Sequence, residues 1–94
     1  MESKPVDLEE RTALFAENVR RFVGLLPRSV ASIEDVEQLV RASGSVPANC
    51  IEANEALGHK DRVMKFRISR KEAKECQLWL RLVNVGLEPG SGVF

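Results

Sequence analysis

The sequence has no tyrosine, one tryptophan, one histidine and two cysteines, and its 14 basic side chains cancel its 14 acidic ones. Each shortage removes a class of chemistry. With His59 as the only histidine, the Glu-x-x-His motif of the di-iron bundles is missing. For the same reason Ser29, Ser32, Ser43, Ser45, Ser69 and Ser91 have no nearby histidine in the sequence to act as base, and neither cysteine has an activating neighbour. Cys50 and Cys76 stand 26 positions apart, without the paired spacing of a zinc site or a redox Cys-x-x-Cys, and read as buried small hydrophobes. Gly90-Ser91-Gly92 follows no strand pattern and lacks the lysine of a phosphate cradle. The apolar runs span only a few residues, far short of the roughly 20 that a membrane helix needs. Met1-Glu2-Ser3-Lys4-Pro5 begins no signal-peptide pattern, so the cytoplasm is the expected location.

What is present is helical. Apolar residues make up 44% and charged residues 30% of 94 positions, the balance of a folded soluble chain whose core is small enough to need help from another element or subunit. Asp7, with Glu10 three residues on, predicts a helix start, and Leu8, Thr12, Phe15, Val19, Phe22 and Leu26 follow in four-three steps until Pro27. The first helix is expected over about 8–25, with Glu9, Glu17, Arg20 and Arg21 on its solvated side. Ser32 with Asp35 repeats the cap, and Leu39, Ser43, Val46, Cys50, Ala53 and Leu57 carry one seam through Pro47, predicting a second helix over about 33–57. The proline predicts a kink near Gly44–Pro47 or a break there. Small residues at Ser43, Gly44, Ser45, Ala48 and Ala53 would let a neighbour approach closely, and Gly58 is expected to end the helix in a left-handed conformation.

A third helix over about 59–85 carries two apolar stripes, one of Phe66, Ala73, Cys76, Leu80 and Val83 and one of Met64, Ile68, Trp79 and Leu82. Contacts on two sides would suit a central position. Residues 86–94 show no helical period and read as an irregular tail, so the whole of 1–94 is expected to form one helical domain. The expected core is Phe15, Val19, Phe22, Leu39, Val46, Phe66, Leu80 and Val83.

Between Ser43 and Leu82 the chain resembles the four-helix-bundle proteins encoded in intervening sequences of bacterial 23S rRNA genes. The likeness extends from Asp7-Leu8-Glu9-Glu10-Arg11-Thr12 to Trp79-Leu80-Arg81-Leu82. It departs from the family's usual pattern at Arg62, where an aromatic residue is common, and at Pro47, where glycine is common. The resemblance implies an all-α, antiparallel up-and-down bundle with three long helices present and the family's fourth, C-terminal helix missing. It also implies a homo-oligomer, with rings of five subunits suggested. The residues themselves, with no motif for metal, nucleophile or phosphate chemistry, point to no enzymatic activity and no cofactor. Relatives that accompany reverse transcriptases, and the placement of such genes within rRNA, add RNA or DNA to the candidate partners beside the chain itself. Neither a membrane nor a small-molecule substrate is expected.

Three sets of residues are candidates for function. Residues 1–58 carry 6 basic and 10 acidic side chains, whereas 59–84 carry 8 basic and 3 acidic ones, so the third helix is a basic rod. Lys60, Arg62, Arg67, Arg70 and Lys74 are the candidate phosphate contacts, which a ring of subunits would multiply. Neutral net charge and the lack of tyrosine for base stacking weigh against that use, and an internal match of the basic helix to acidic neighbours is the plainer expectation. Asn49, Glu52, Lys65, Glu72 and Glu75 are candidates for a polar network between helices or subunits, where charge pairs give register more than stability. Trp79 is the candidate interface anchor, since aromatic residues dominate such contacts.

Overall fold

Asp7 begins the first helix as its spacing predicts, in extended backbone with its carboxylate accepting from the Glu10 amide at 3.1 Å. The computed structural model describes residues 7–27 and 33–88, and among these the regular structure is three helices: α1 (Leu8–Gly24), α2 (Ile33–Glu55) and α3 (His59–Gly86). The cap expected at Ser32 and the tail from Pro89 onward lie outside the described residues. No described helix is long and apolar enough to cross a membrane.

α2 takes the middle. Among the described residues the backbones of α1 and α3 each come within 8 Å of α2 and nowhere that close to each other. The central helix is therefore the second and not the third. The reason is in the side chains: Leu39, Ala42, Ser43, Val46, Cys50 and Ala53, all but one small or β-branched or thin, are buried on α2 and let two helices press in on adjoining sides. The resulting body measures 50 × 32 × 15 Å, broad and thin.

Val19 of α1, Leu39 and Ala42 of α2 and Cys76 of α3 form the buried centre, with Phe15, Phe22, Val23, Trp79 and Leu80 packed around it. Of the expected core, Val19, Leu39, Val46 and Val83 are buried, while Phe15, Phe22, Phe66 and Leu80 keep part of their surface open. Leu57, the last member of the α2 seam, is fully exposed because the helix ends two residues before it.

Two local expectations change. Gly58 sits at φ −120°, ψ 152°, an extended conformation that starts α3, so no left-handed cap closes α2. α2 ends instead in a tight turn, with the Ala56 amide donating to the Ala53 carbonyl at 3.2 Å. Pro47 does not break α2. Its missing N–H deprives the Ser43 carbonyl of a helical donor, and side chains crowd donors onto the same stretch: Ser43 Oγ to the Val40 carbonyl at 2.8 Å, Asn49 Nδ2 to the Ser45 carbonyl at 2.8 Å, and Ser69 Oγ to the Val46 carbonyl at 2.9 Å.

Candidate functional site

Polar contacts tie α1 to α2 near both of its ends, and α3 to α2 within its first half. Asn54 donates to the Glu9 carboxylate at 2.6 Å, and farther along α1 the Arg20 guanidinium reaches Ser43 Oγ at 3.2 Å and the Val40 carbonyl at 3.5 Å. Glu9 and Arg20 were expected to be plain solvated surface, and both instead bridge α1 to α2. Gly44 makes room for this, since a Cβ there would lie 3.2 Å from the Arg20 guanidinium. On the other side, Lys65 pairs with Glu52 at 2.8 Å and buried Ser69 meets Cys50 Sγ at 3.3 Å. Glu52 raises the Lys65 pKa, by its hydrogen bond and then by its charge.

Of the five residues of the expected polar network, Glu52 and Lys65 are the two that meet. Asn49 bonds back to its own helix. Glu72 is buried, with Oε1 lacking a hydrogen-bond partner among the described residues, and Glu75 is half-buried beside the basic flank of α3. Burial, with the charges of Glu72 and Glu75 behind it, pushes the Cys76 thiol up to about 11. A thiol held neutral at pH 7 is a poor nucleophile. Cys50 and Cys76 are both free and buried.

The basic residues divide. Arg67, Arg70, Lys71 and Lys74 surround one shallow depression of about 630 Å³ floored by Leu78, and all four are exposed. Lys60 lies nearer the start of α3, in a second hollow that Arg67 shares with Met64. Arg62 points elsewhere, its guanidinium 5.8 Å from the centre of the Phe66 ring. The expected internal match of acid to base is met by a single cross-helix pair among the described residues, Lys65 with Glu52. Arg67, Arg70, Lys71 and Lys74 form no ion pair among the described residues.

Trp79 packs against the core on one side and on the other lines a recess of about 420 Å³ whose remaining wall is Glu34, Asp35, Glu37 and Gln38 from the first turns of α2. The sequence marked Asp35 alone of these, as part of a helix cap, and it takes the pairing of α2 with α3 to set them around the indole. The Trp79 Nε1 atom is buried and has no acceptor among the described residues. A third feature is apolar: where α1 and α3 diverge over α2, a trough of about 420 Å³ opens between Leu8, Thr12, Phe15, Val46, Ala73 and Leu80. Among the described residues no three His, Cys, Asp or Glu side chains gather where a metal ion could be held.

An all-helical chain with such a trough is compared most directly by its sequence, and residues 6–85 match the model of the 23S rRNA-intervening sequence protein family. The chain belongs to that family. The match takes in α1 and α2 whole and all but the last residue of α3, so the family's pattern coincides with the packed helices. No curated protein and no solved structure matches the chain.

Proposed function

We propose that this member of the 23S rRNA-intervening sequence protein family is a non-enzymatic assembly module, an antiparallel up-and-down helical bundle that works in the cytoplasm as a homo-oligomer. The observation that carries the reading is the apolar trough over α2. Leu8, Phe15, Ala73 and Leu80 line a channel between two helices whose Cα atoms come no closer than 8 Å, the position a fourth helix holds in a four-helix bundle. Apolar surface of that kind on a soluble protein marks a contact with another element or chain. The order of the contacts supports the alternating direction: Glu9 with Asn54 and Arg20 with Ser43, then Glu52 with Lys65 and Val46 with Ser69. Two reduced, buried cysteines suit a reducing compartment. Five subunits is the number the family resemblance suggests.

Light scattering on the purified chain tests this reading. The expected mass is a multiple of 10.5 kDa, and Trp79→Ala, with helicity retained by circular dichroism, lowers it. A single-chain mass at every concentration would remove the proposal.

A second reading is favoured by one observation, the four exposed cations on α3 without ion-pair partners among the described residues. On this reading Arg67, Arg70, Lys71 and Lys74, joined by Lys60 at the adjoining hollow, contact the phosphates of structured RNA or DNA. Retention should then fall steeply with salt and be abolished by charge reversal at Arg67 and Arg70.

A further inference from the structure

Among the described residues the fold leaves two sets of opposite charge without ion-pair partners on one chain. Glu34, Asp35 and Glu37 stand with Gln38 around Trp79, and Arg67, Arg70, Lys71 and Lys74 stand with Glu75 and Leu78 on α3, a patch that stays basic with its one acid counted. None of these four cations and three α2 acids forms an ion pair among the described residues. We infer that the basic flank of α3 in one copy docks into the acidic Trp79 recess of the next, so that subunits join head to tail. The inference rests on the homo-oligomer reading and assigns the two surfaces by which copies meet.

Three features select a second copy as the occupant. The first is complementarity: a recess with three carboxylates would meet a flank with four cations and one carboxylate, Glu75, and each patch carries one apolar residue, Trp79 or Leu78, in its lining. An aromatic ring beside carboxylates suits a guanidinium or ammonium group, which can lie on the indole while the acids take its charge. The second is composition, since the chain is formally neutral and no net charge opposes the approach of a second copy.

The third is placement. At 3.6 residues per turn and 1.5 Å per residue, the four cations lie on average roughly 130° around α3 from Trp79 and about 13 Å along it. No one face shows both patches. An isologous contact sets a single patch against itself, which here means acid against acid or base against base. A heterologous contact pairs unlike patches and leaves each subunit with one of each still free, so that addition continues until the rotation closes a ring.

The test uses two charge-reversed forms of the full chain. One carries E34K, D35K and E37K, the other R67E, R70E, K71E and K74E; all seven positions are away from the buried centre, so helicity is expected to be kept. Each variant alone should fall to single-chain mass in light scattering, with affinity weakened on the order of a hundredfold or more, because like charges at a contact oppose association. Mixed in equal amounts, the two should regain a mass above that of either, since the reversed acidic recess of one then fits the reversed basic flank of the other. Raising salt should dissociate the wild-type protein. If the wild type is oligomeric and both variants keep its mass, this interface is wrong while the assembly reading stands. If the wild type is a single chain throughout, both fall. Loss of structured-RNA retention in the basic-reversed variant, with its mass unchanged, would overturn the inference and give the flank to nucleic acid.

Discussion

At the residue scale, the buried polar atoms carry consequences that can be measured. Cys76 is held neutral in the folded protein by burial and by the nearby charges of Glu72 and Glu75, with its pKa raised from 9.0 to about 11. Unfolding releases a thiol that ionises near its ordinary value, so between about pH 9 and 11 the unfolded chain binds fewer protons than the folded one and stability falls as pH rises. Lys65 acts in the same direction: its pKa is raised by Glu52, and the stability this pair contributes is present below the ordinary lysine value and lost above it. The expected outcome is a melting temperature that declines above about pH 9. C76A should flatten the part of that decline due to the thiol; an unchanged pH profile in C76A would remove Cys76 as its source. How much of this was legible beforehand depended on what each residue does. Val19, Leu39 and Val46 could be placed inside by periodicity, because burial follows the helical repeat. Arg20 could not, because the same period that sets it on an outer face says nothing of a long side chain reaching across Gly44 to Ser43.

At the scale of the helices, proline and serine in α2 are in tension. Pro47 sits inside an unbroken helix, where a proline costs up to about 3 kcal/mol relative to alanine. Donors from Ser69 and Asn49 hold the adjoining carbonyls of Val46 and Ser45. P47A restores the N–H to the Ser43 carbonyl and keeps the small volume that α2 needs beside its neighbours. Stability should rise by about 1–3 kcal/mol, read as a higher urea midpoint with an unchanged slope. A lower midpoint would show that a bend at Pro47 is required for both outer helices to seat. Element existence was readable throughout: α1, α2 and α3 start at the expected residues and end within two residues of the expected ends, although Gly58 starts α3 in extended backbone instead of capping α2. Which helix lies in the middle was not. α3 has two stripes, yet of the second one Met64 is exposed and Ile68, Trp79 and Leu82 are only half-buried, whereas the small residues of α2 admit contact on adjoining sides. Stripe count measures how much a helix has to cover, and not whether this chain covers it.

At the scale of the molecule, a body 15 Å thick with α1 and α3 apart over α2 has few residues shielded on every side. Leu39, Ala42, Ala53 and Val83 are completely buried, and the large side chains Phe15, Phe22, Trp79 and Leu80 remain partly open at the edges. The candidate surfaces were hidden from the sequence for the same reason. The acids of α2 and Trp79 of α3 are some forty positions apart, and only the packing of one helix on the other makes them a single recess. If the proposed contacts between copies supply the missing cover, folding and association are linked, and dilution destabilises the fold by mass action. In the limit where the folded subunit draws its stability from bound neighbours, a hundredfold dilution removes about 2.7 kcal/mol. At about 4–8 °C per kcal/mol for a domain of this size, the melting temperature should drop by on the order of 10 °C. Circular dichroism melts across that dilution, at fixed pH and salt, measure the shift directly. A melting temperature that holds constant would mean that one chain is stable with its trough uncovered, and the linkage between assembly and folding would be gone.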